Sequence, residues 1–144
     1  MAYVKNWLHC VWGTKNRHPY LIGDIKTEVI KHILDNAKSK NIYIDSMGGF
    51  TEHIHCLISL NPEMSLSNVI QLIKGESSYW INKKKITRFR FSWATEYFGL
   101  SVSESQLNNV RNYIRNQEEH HKRESWDDEY NKLITEYGFD RFPG

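Results

Sequence analysis

The chain is poor in the residues that mark unusual folds. Of its 144 residues only two are cysteine, Cys10 and Cys56, and they do not have C-x-x-C spacing. That excludes a disulfide scaffold and a cysteine zinc site, and both are expected as buried thiols of a reducing cytosol. No apolar stretch approaches the roughly 18–20 residues that span a bilayer. The segment Met1–Trp7 lacks the apolar centre of a signal peptide, so the expected location is cytoplasmic. Charge of one sign is also scarce. The net value of +2 does not announce a nucleic-acid binder, so any such case rests on local clusters. Neither a repeat, a low-complexity tract nor a Pro/Gly/Ser linker divides the sequence. What remains is ordinary: 40% hydrophobic and 25% charged residues, enough for one globular domain over 1–144 with a real core.

The chain reads as alternating strands and helices. Residues 3–13, β-branched and aromatic and closed by Gly13, predict a first strand. A polar loop follows to Tyr20. Asp24 is placed to cap a helix reaching Lys40, with Ile25, Val29, Ile33 and Ala37 along one stripe. Residues 41–48 predict a second strand, Gly48-Gly49 a turn, and 52–60 a third strand ended by Asn61-Pro62. Ser65 or Ser67 should cap a second helix running to about Lys85. The aromatic-rich stretch Phe89–Val102 predicts a fourth strand, and Ser103-Glu104-Ser105-Gln106 reads as a capping box starting a third helix. This order is an α+β, ferredoxin-like (RRM-like) βαββαβ antiparallel sheet with a further C-terminal helix. The first and third strands should lie at its centre.

Two short pieces carry chemistry. In Thr51–Leu60 the apolar residues alternate, so His53, His55, Leu57 and Ser59 share one strand face while Ile54, Cys56, Ile58 and Leu60 share the other. If the second set packs under the two helices, both imidazoles point to the free face, where paired histidines suit a metal ion. His9 and Trp7, on the neighbouring central strand, are expected beside them as sheet packing. Within Gln106–Gln117, Tyr113 and Gln117 are four apart on a helical pattern and so are neighbours on one face. Docked on the histidines, that helix would set a phenol and an amide oxygen beside the cation. Taken singly, each of these groups has a plainer reading as a packed ring or an exposed amide. His120 and His121, one turn further on, are expected on a solvated face, with an approach of either to the site as the alternative.

The combination resembles the IS200/IS605-type single-tyrosine transposases, relatives of the REP-associated tyrosine transposases among the HUH endonucleases. The likeness runs through Val11-Trp12-Gly13-Thr14-Lys15-Asn16-Arg17-His18-Pro19, Gly48-Gly49 and His53-Ile54-His55. It continues through Leu72-Ile73-Lys74-Gly75-Glu76-Ser77-Ser78, Phe98–Ser103 and Tyr113–His121. The resemblance implies a transposase that cuts and rejoins single-stranded DNA at element ends, with Tyr113 as nucleophile and a 5′-phosphotyrosine intermediate. It further implies one divalent ion, Mg²⁺ or Mn²⁺, held by His53, His55 and Gln117. The implied partners are DNA hairpins and a second copy of the chain. The fourth strands would pair through Phe89–Phe98, and the tyrosine helix would swing on a hinge from Gly99 to Ser103 to act in trans. Leu100 stands where the family usually has a small residue.

Two basic clusters are candidate DNA contacts: Lys15 and Arg17 with His18, and Lys83, Lys84, Lys85, Arg88 and Arg90, five cations in eight residues. Flanking aromatics offer stacking platforms. The competing readings are a non-catalytic ferredoxin-like nucleic-acid module and a host-retained relative acting on repeated palindromes.

Overall fold

The computed structural model describes residues 2–141. Four strands, β1 (Trp7–Gly13), β2 (Tyr43–Gly49), β3 (His53–Ser59) and β4 (Phe98–Val102), form one antiparallel sheet in the order β2-β3-β1-β4. Helices α1 (Asp24–Ser39) and α2 (Leu66–Lys83) follow β1 and β3. This is the ferredoxin-like arrangement, with the first and third strands central as the sequence predicts. The period-two pattern of β3 explains which face is covered. Ile54, Cys56 and Ile58 join Cys10 and Trp12 of β1 in the main core, against Val29, Ile33 and Ala37 of α1 and Val69, Ile70 and Ile73 of α2. The two cysteines are register partners and remain free, buried thiols. Burial pushes the Cys10 thiol up to about 12, which makes it inert.

The opposite face, with His53, His55 and Leu57, is covered by the C-terminal part of the chain. A short 3₁₀ turn at Glu104–Gln106 leads into α3 (Leu107–Arg115), α4 (Gln117–His121) and α5 (Trp126–Glu136). Leu107 and Ile114 of α3 close over Leu57. Trp126 and Leu133 of α5 pack with Val11 and Phe98. Ser125 caps α5 by accepting from the Asp128 amide at 3.1 Å.

Several sequence expectations need correction. The first strand begins only at Trp7, and Tyr3 and Val4 are 93% and 51% exposed. Asp24 is the first residue of α1 and not its cap, a place taken by Gly23 at φ 55°. Gly48 and Gly49 lie inside β2, so the turn falls at 50–52. Ser103 makes no capping hydrogen bond, and its hydroxyl instead faces that of Ser105 at 3.2 Å.

The largest difference is the fourth strand, which is confined to Phe98–Val102. Side chains of α2 take the backbone groups that a longer strand would need. Asn82 accepts from the Phe91 amide at 2.7 Å and donates to the Phe91 carbonyl at 2.9 Å, while Lys74 donates to the carbonyls of Ala94 and Glu96. Phe91 and Trp93 are thereby drawn into the core. Phe89–Phe98 is therefore not a pairing edge, although β4 itself is an edge strand of the sheet. Gly99, within the segment read as a hinge, is paired with Cys10 in the β1–β4 ladder.

Candidate metal and tyrosine site

Two glycines flanking β3 let helices reach the histidines. Gly48 of β2 is the register partner of His55, and Gly13 of β1 that of His53. Partners in an antiparallel pair share a face, so each glycine leaves a gap beside one imidazole. The backbone of α3 fills the first gap: a Cβ on Gly48 would lie 2.4 Å from the Ile114 carbonyl oxygen. Trp126 of α5 fills the second, its Nε1 3.5 Å from where a Gly13 Cβ would be. Its indole stacks on the His53 ring at 4.2 Å and 6°. Arg111 secures α3 through a two-pronged pair with Asp45, 2.8 and 3.0 Å, at the point where the β2–β3 register shifts. That guanidinium holds the Asp45 carboxyl below the usual carboxylate range.

The predicted residues converge. The Tyr113 ring stands 5.4 Å from that of His55, centre to centre, and His53 Nε2 is 3.2 Å from Gln117 Oε1. Gln117 is 1% exposed. The helix breaks at Asn116 (φ −97°, ψ 23°), so Tyr113 and Gln117 sit on two helices, yet the Gln117 amide still donates to the Tyr113 carbonyl at 3.1 Å. A cavity of about 310 Å³ opens between α3 and α5 over His9, His55 and Tyr113.

Other residues at the site go beyond the sequence expectation. His9 Nε2 lies 2.8 Å from His55 Nδ1, and Glu52 Oε1 lies 2.9 Å from His53 Nδ1. Each histidine thus has its Nδ1 engaged and its Nε2 turned toward the cluster, the usual way a protein aims an imidazole at a metal. His9 is an orienting partner as well as sheet packing. His121 does not face solvent: its side chain is 2% exposed and its Nε2 is 3.1 Å from Gln117 Oε1. His120 is partly exposed and approaches the Tyr113 hydroxyl at 3.4 Å. Glu129 of α5, 4% exposed, accepts a hydrogen bond from the Tyr113 hydroxyl at 2.9 Å. The signal for α5 was legible: Ser125-x-x-Asp128 is a capping pattern, and Trp126, Tyr130, Leu133 and Ile134 follow helical spacing. Leu100, the bulky departure, packs into the cluster that seats α5.

The donor set fits a divalent cation. With the Nδ1 of His53 donating to Glu52, its Nε2 lone pair faces the Gln117 amide oxygen, an arrangement that is repulsive unless a positive charge lies between them. The Nε2 of His55 is 2.9 Å from Glu129 but off the hydrogen-bonding direction, so it and Glu129 Oε2 are buried without a hydrogen bond. Imidazole, amide and carboxylate donors together suit Mn²⁺ or Mg²⁺.

Burial pushes the His55 imidazole down to about 3 and that of His9 down to about 4, with Glu129 offsetting part of each shift. Both are neutral in the folded protein at pH 7. Burial would raise Glu129, but His121 against it prevails and holds it far below the usual carboxylate range. His121 moves the other way: burial lowers it, but the contact with Glu129 wins and raises it. Burial, reinforced by the Glu129 charge, pushes the Tyr113 phenol well above its ordinary value, so without a cation it stays protonated.

A pH prediction follows from the two depressed histidines. Between the ordinary value of 6.5 and about 4, the unfolded chain takes up protons that folded His9 and His55 refuse. Metal-free protein should therefore lose stability as pH falls through that window, on the order of 1.4 kcal/mol per pH unit for each imidazole. His121 contributes in the opposite sense, with stability present below 6.5 and lost as pH rises through its raised value. Urea unfolding midpoints at pH 7, 6 and 5 test this; a flat series would mean that neither imidazole is held below its ordinary value.

The basic candidates divide. Lys15 and Arg17 lie on an exposed 3₁₀ turn next to α5, where Arg17 pairs with Asp127 and its guanidinium lies 5.2 Å from the Tyr130 ring centre. Lys83, Lys84, Lys85, Arg88 and Arg90 are exposed around the C-terminal end of α2, on the sheet face opposite the histidines. Among the described residues no helix is long and apolar enough to cross a membrane.

Comparison with known proteins agrees with this architecture. The family described as "Transposase IS200 like" matches residues 2–117. The ISDra2 transposase TnpA of Deinococcus radiodurans is 26% identical over 115 residues, covering 76% of this chain and 81% of that protein. The transposase for insertion sequence element IS200 of Salmonella typhimurium is 27% identical over 119 residues, covering 79% and 78%. Two solved structures share the fold. A Deinococcus radiodurans R1 protein described as a transposase has a TM-score of 0.64 at 23% identity, covering 81% of this chain and 95% of that one. A REP-associated tyrosine transposase bound to a REP hairpin has a TM-score of 0.60 at 16% identity, covering 88% and 73%. With the family match spanning the whole sheet, the histidine pair, Tyr113 and Gln117, this chain belongs to the IS200-like transposases.

Proposed function

We propose that the protein cuts and rejoins single-stranded DNA through a covalent bond between Tyr113 and a 5′ phosphate, with a divalent cation at His53, His55 and Gln117. The observation that carries this reading is the meeting of a half-buried phenol with two aimed imidazoles and an amide oxygen, in a chain of a transposase family. The phenolic oxygen attacks phosphorus, the bond to the 3′ oxygen breaks, and that oxygen leaves as a free hydroxyl. The phosphodiester count is unchanged, so another 3′ hydroxyl can reverse the step without ATP. A bound cation supplies charge neutralisation at the phosphate and beside Tyr113. His9 and Glu52 keep the two ligand rings turned, while α3 and α5 shield the phenol from bulk water.

The substrate we assign is a DNA hairpin bordering a mobile element, the ligand class carried by the REP-associated relative. Lys15 and Arg17, on the exposed turn beside α5, would contact the strand entering the site. The basic group Lys83, Lys84, Lys85, Arg88 and Arg90 would contact more distant phosphate. Each chain uses its own tyrosine, a layout in cis, and an association of two copies through the free edge of β4 is compatible with it.

Incubation with single-stranded hairpins and Mg²⁺ or Mn²⁺ tests the proposal. A protein–DNA adduct resistant to SDS is expected, lost with Tyr113→Phe and with chelator. DNA binding with no adduct under any of these conditions would favour the non-catalytic module, and an adduct persisting in Tyr113→Phe would refute the nucleophile.

A further inference from the structure

We infer that Glu129 is itself a ligand of the cation, so that α5, a helix beyond the family-matched segment 2–117, completes the metal centre. The inference rests on the metal-dependent reading above. Glu129 is 4% exposed and pairs with no lysine or arginine among the described residues; its carboxylate faces imidazoles and a phenol. A buried carboxylate normally has directed partners for both oxygens. Here Oε2 lies 2.9 Å from the Nε2 of His121 and 3.3 Å from that of His120 but makes no directed hydrogen bond, and neither does the Nε2 of His55 opposite Oε1.

The spacing is also that of neighbouring ligands on one ion. Ligands about 2.1 Å from an ion and at right angles are about 3.0 Å apart, and those across it about 4.2 Å. The pair His55 Nε2–Glu129 Oε1 is 2.9 Å apart, and His53 Nε2–Gln117 Oε1 is 3.2 Å apart. His53, His55 and Glu129 each offer an atom within 4.8 Å of the others, all three buried. Two neutral imidazoles and an amide give a ligand set without charge. Adding one carboxylate makes it −1, and a hard divalent ion favours anionic oxygen over amide oxygen.

The helix that delivers Glu129 is fixed at its start. Ser125 caps it, Trp126 stacks on His53, and Asp127 pairs with Arg17. Glu129 lies one turn beyond Ser125, so the same anchoring sets the carboxylate over His55.

Mn²⁺ binding to the metal-free full chain without DNA, followed by electron paramagnetic resonance, is the test. Wild type should bind one ion, Glu129→Gln should bind at least about 10-fold more weakly, and His53→Ala should lose the site. Glu124→Gln removes an equal charge next to His120 and should leave the affinity within about 2-fold. Glu129→Gln equal to wild type overturns the inference, as does an equal loss in Glu124→Gln, which would reduce Glu129 to background charge. Failure of wild type to bind Mn²⁺ would instead sink the metal reading as a whole. Should Glu129→Gln not fold, the anomalous signal of Mn²⁺ in wild-type crystals decides: an ion within about 2.5 Å of the Glu129 carboxylate supports ligation, and one beyond about 3.5 Å overturns it.

Discussion

Chains carrying Tyr113→Phe and chains carrying His53→Ala, each inactive alone, should stay inactive when mixed. A trans layout would rescue cleavage, because one subunit would lend its tyrosine and the other its histidines. In this fold the tyrosine helix packs on its own sheet. Leu107 and Ile114 are buried against Leu57, and burying each aliphatic side chain is worth about 1.5–3 kcal/mol. Arg111 grips Asp45 with two hydrogen bonds, and the Tyr113 hydroxyl is bound by Glu129 of the same chain. An exchange would have to break all of these. The connector is also short: only 103–106 separate β4 from α3, and they are folded as a 3₁₀ turn. Fully extended, they span at most about 14 Å. Cleavage of a labelled hairpin by co-refolded variants is the measurement, and recovery well above either variant alone would show that one site draws on two chains.

Gly48→Ala should cut the rate of adduct formation by about 100-fold while the protein still folds. The added methyl would sit 2.4 Å from the Ile114 carbonyl oxygen, a backbone atom that cannot rotate away. Relief requires α3 to lift by about 1 Å, and a displacement of that size at a reacting group typically costs about two orders of magnitude. Overpacking of this kind costs about 1–3 kcal/mol of stability, small enough for far-UV circular dichroism to remain native. Mn²⁺ affinity should fall less than the rate, since His53 and His55 sit on β3 and only Gln117 is carried along. A rate within a few-fold of wild type would show that the seat of α3 on β2 does not position the nucleophile.

The parts read well from sequence were those governed by short-range repetition. Alternation in 52–60 separated His53 and His55 from Ile54, Cys56 and Ile58, because side chains on a strand change face at every residue. The apolar stripe of α1 followed from the helical repeat in the same way. Tyr113 and Gln117 were placed together by a spacing that survived even the break at Asn116.

Reading failed where one element's side chains settle another's backbone. Nothing within 84–97 announces that Asn82 and Lys74 will take its hydrogen-bonding groups, so an aromatic-rich run that looks like strand becomes core-lining loop. Gly48-Gly49 resembles a turn until Ile114 is known to need the space.

By itself, then, the sequence determined the order of elements as far as α3, the buried face of β3 and the expectation that Tyr113 meets the two histidines. Only the tertiary structure decided that His9 steers His55, that His121 turns inward and that Glu129 arrives from α5. Periodicity is a property of neighbours along the chain, whereas a site closed by the last helix depends on contacts between residues far apart in it. Those contacts rest on small absences, at Gly13 and Gly48, whose meaning appears only when the helices are in place.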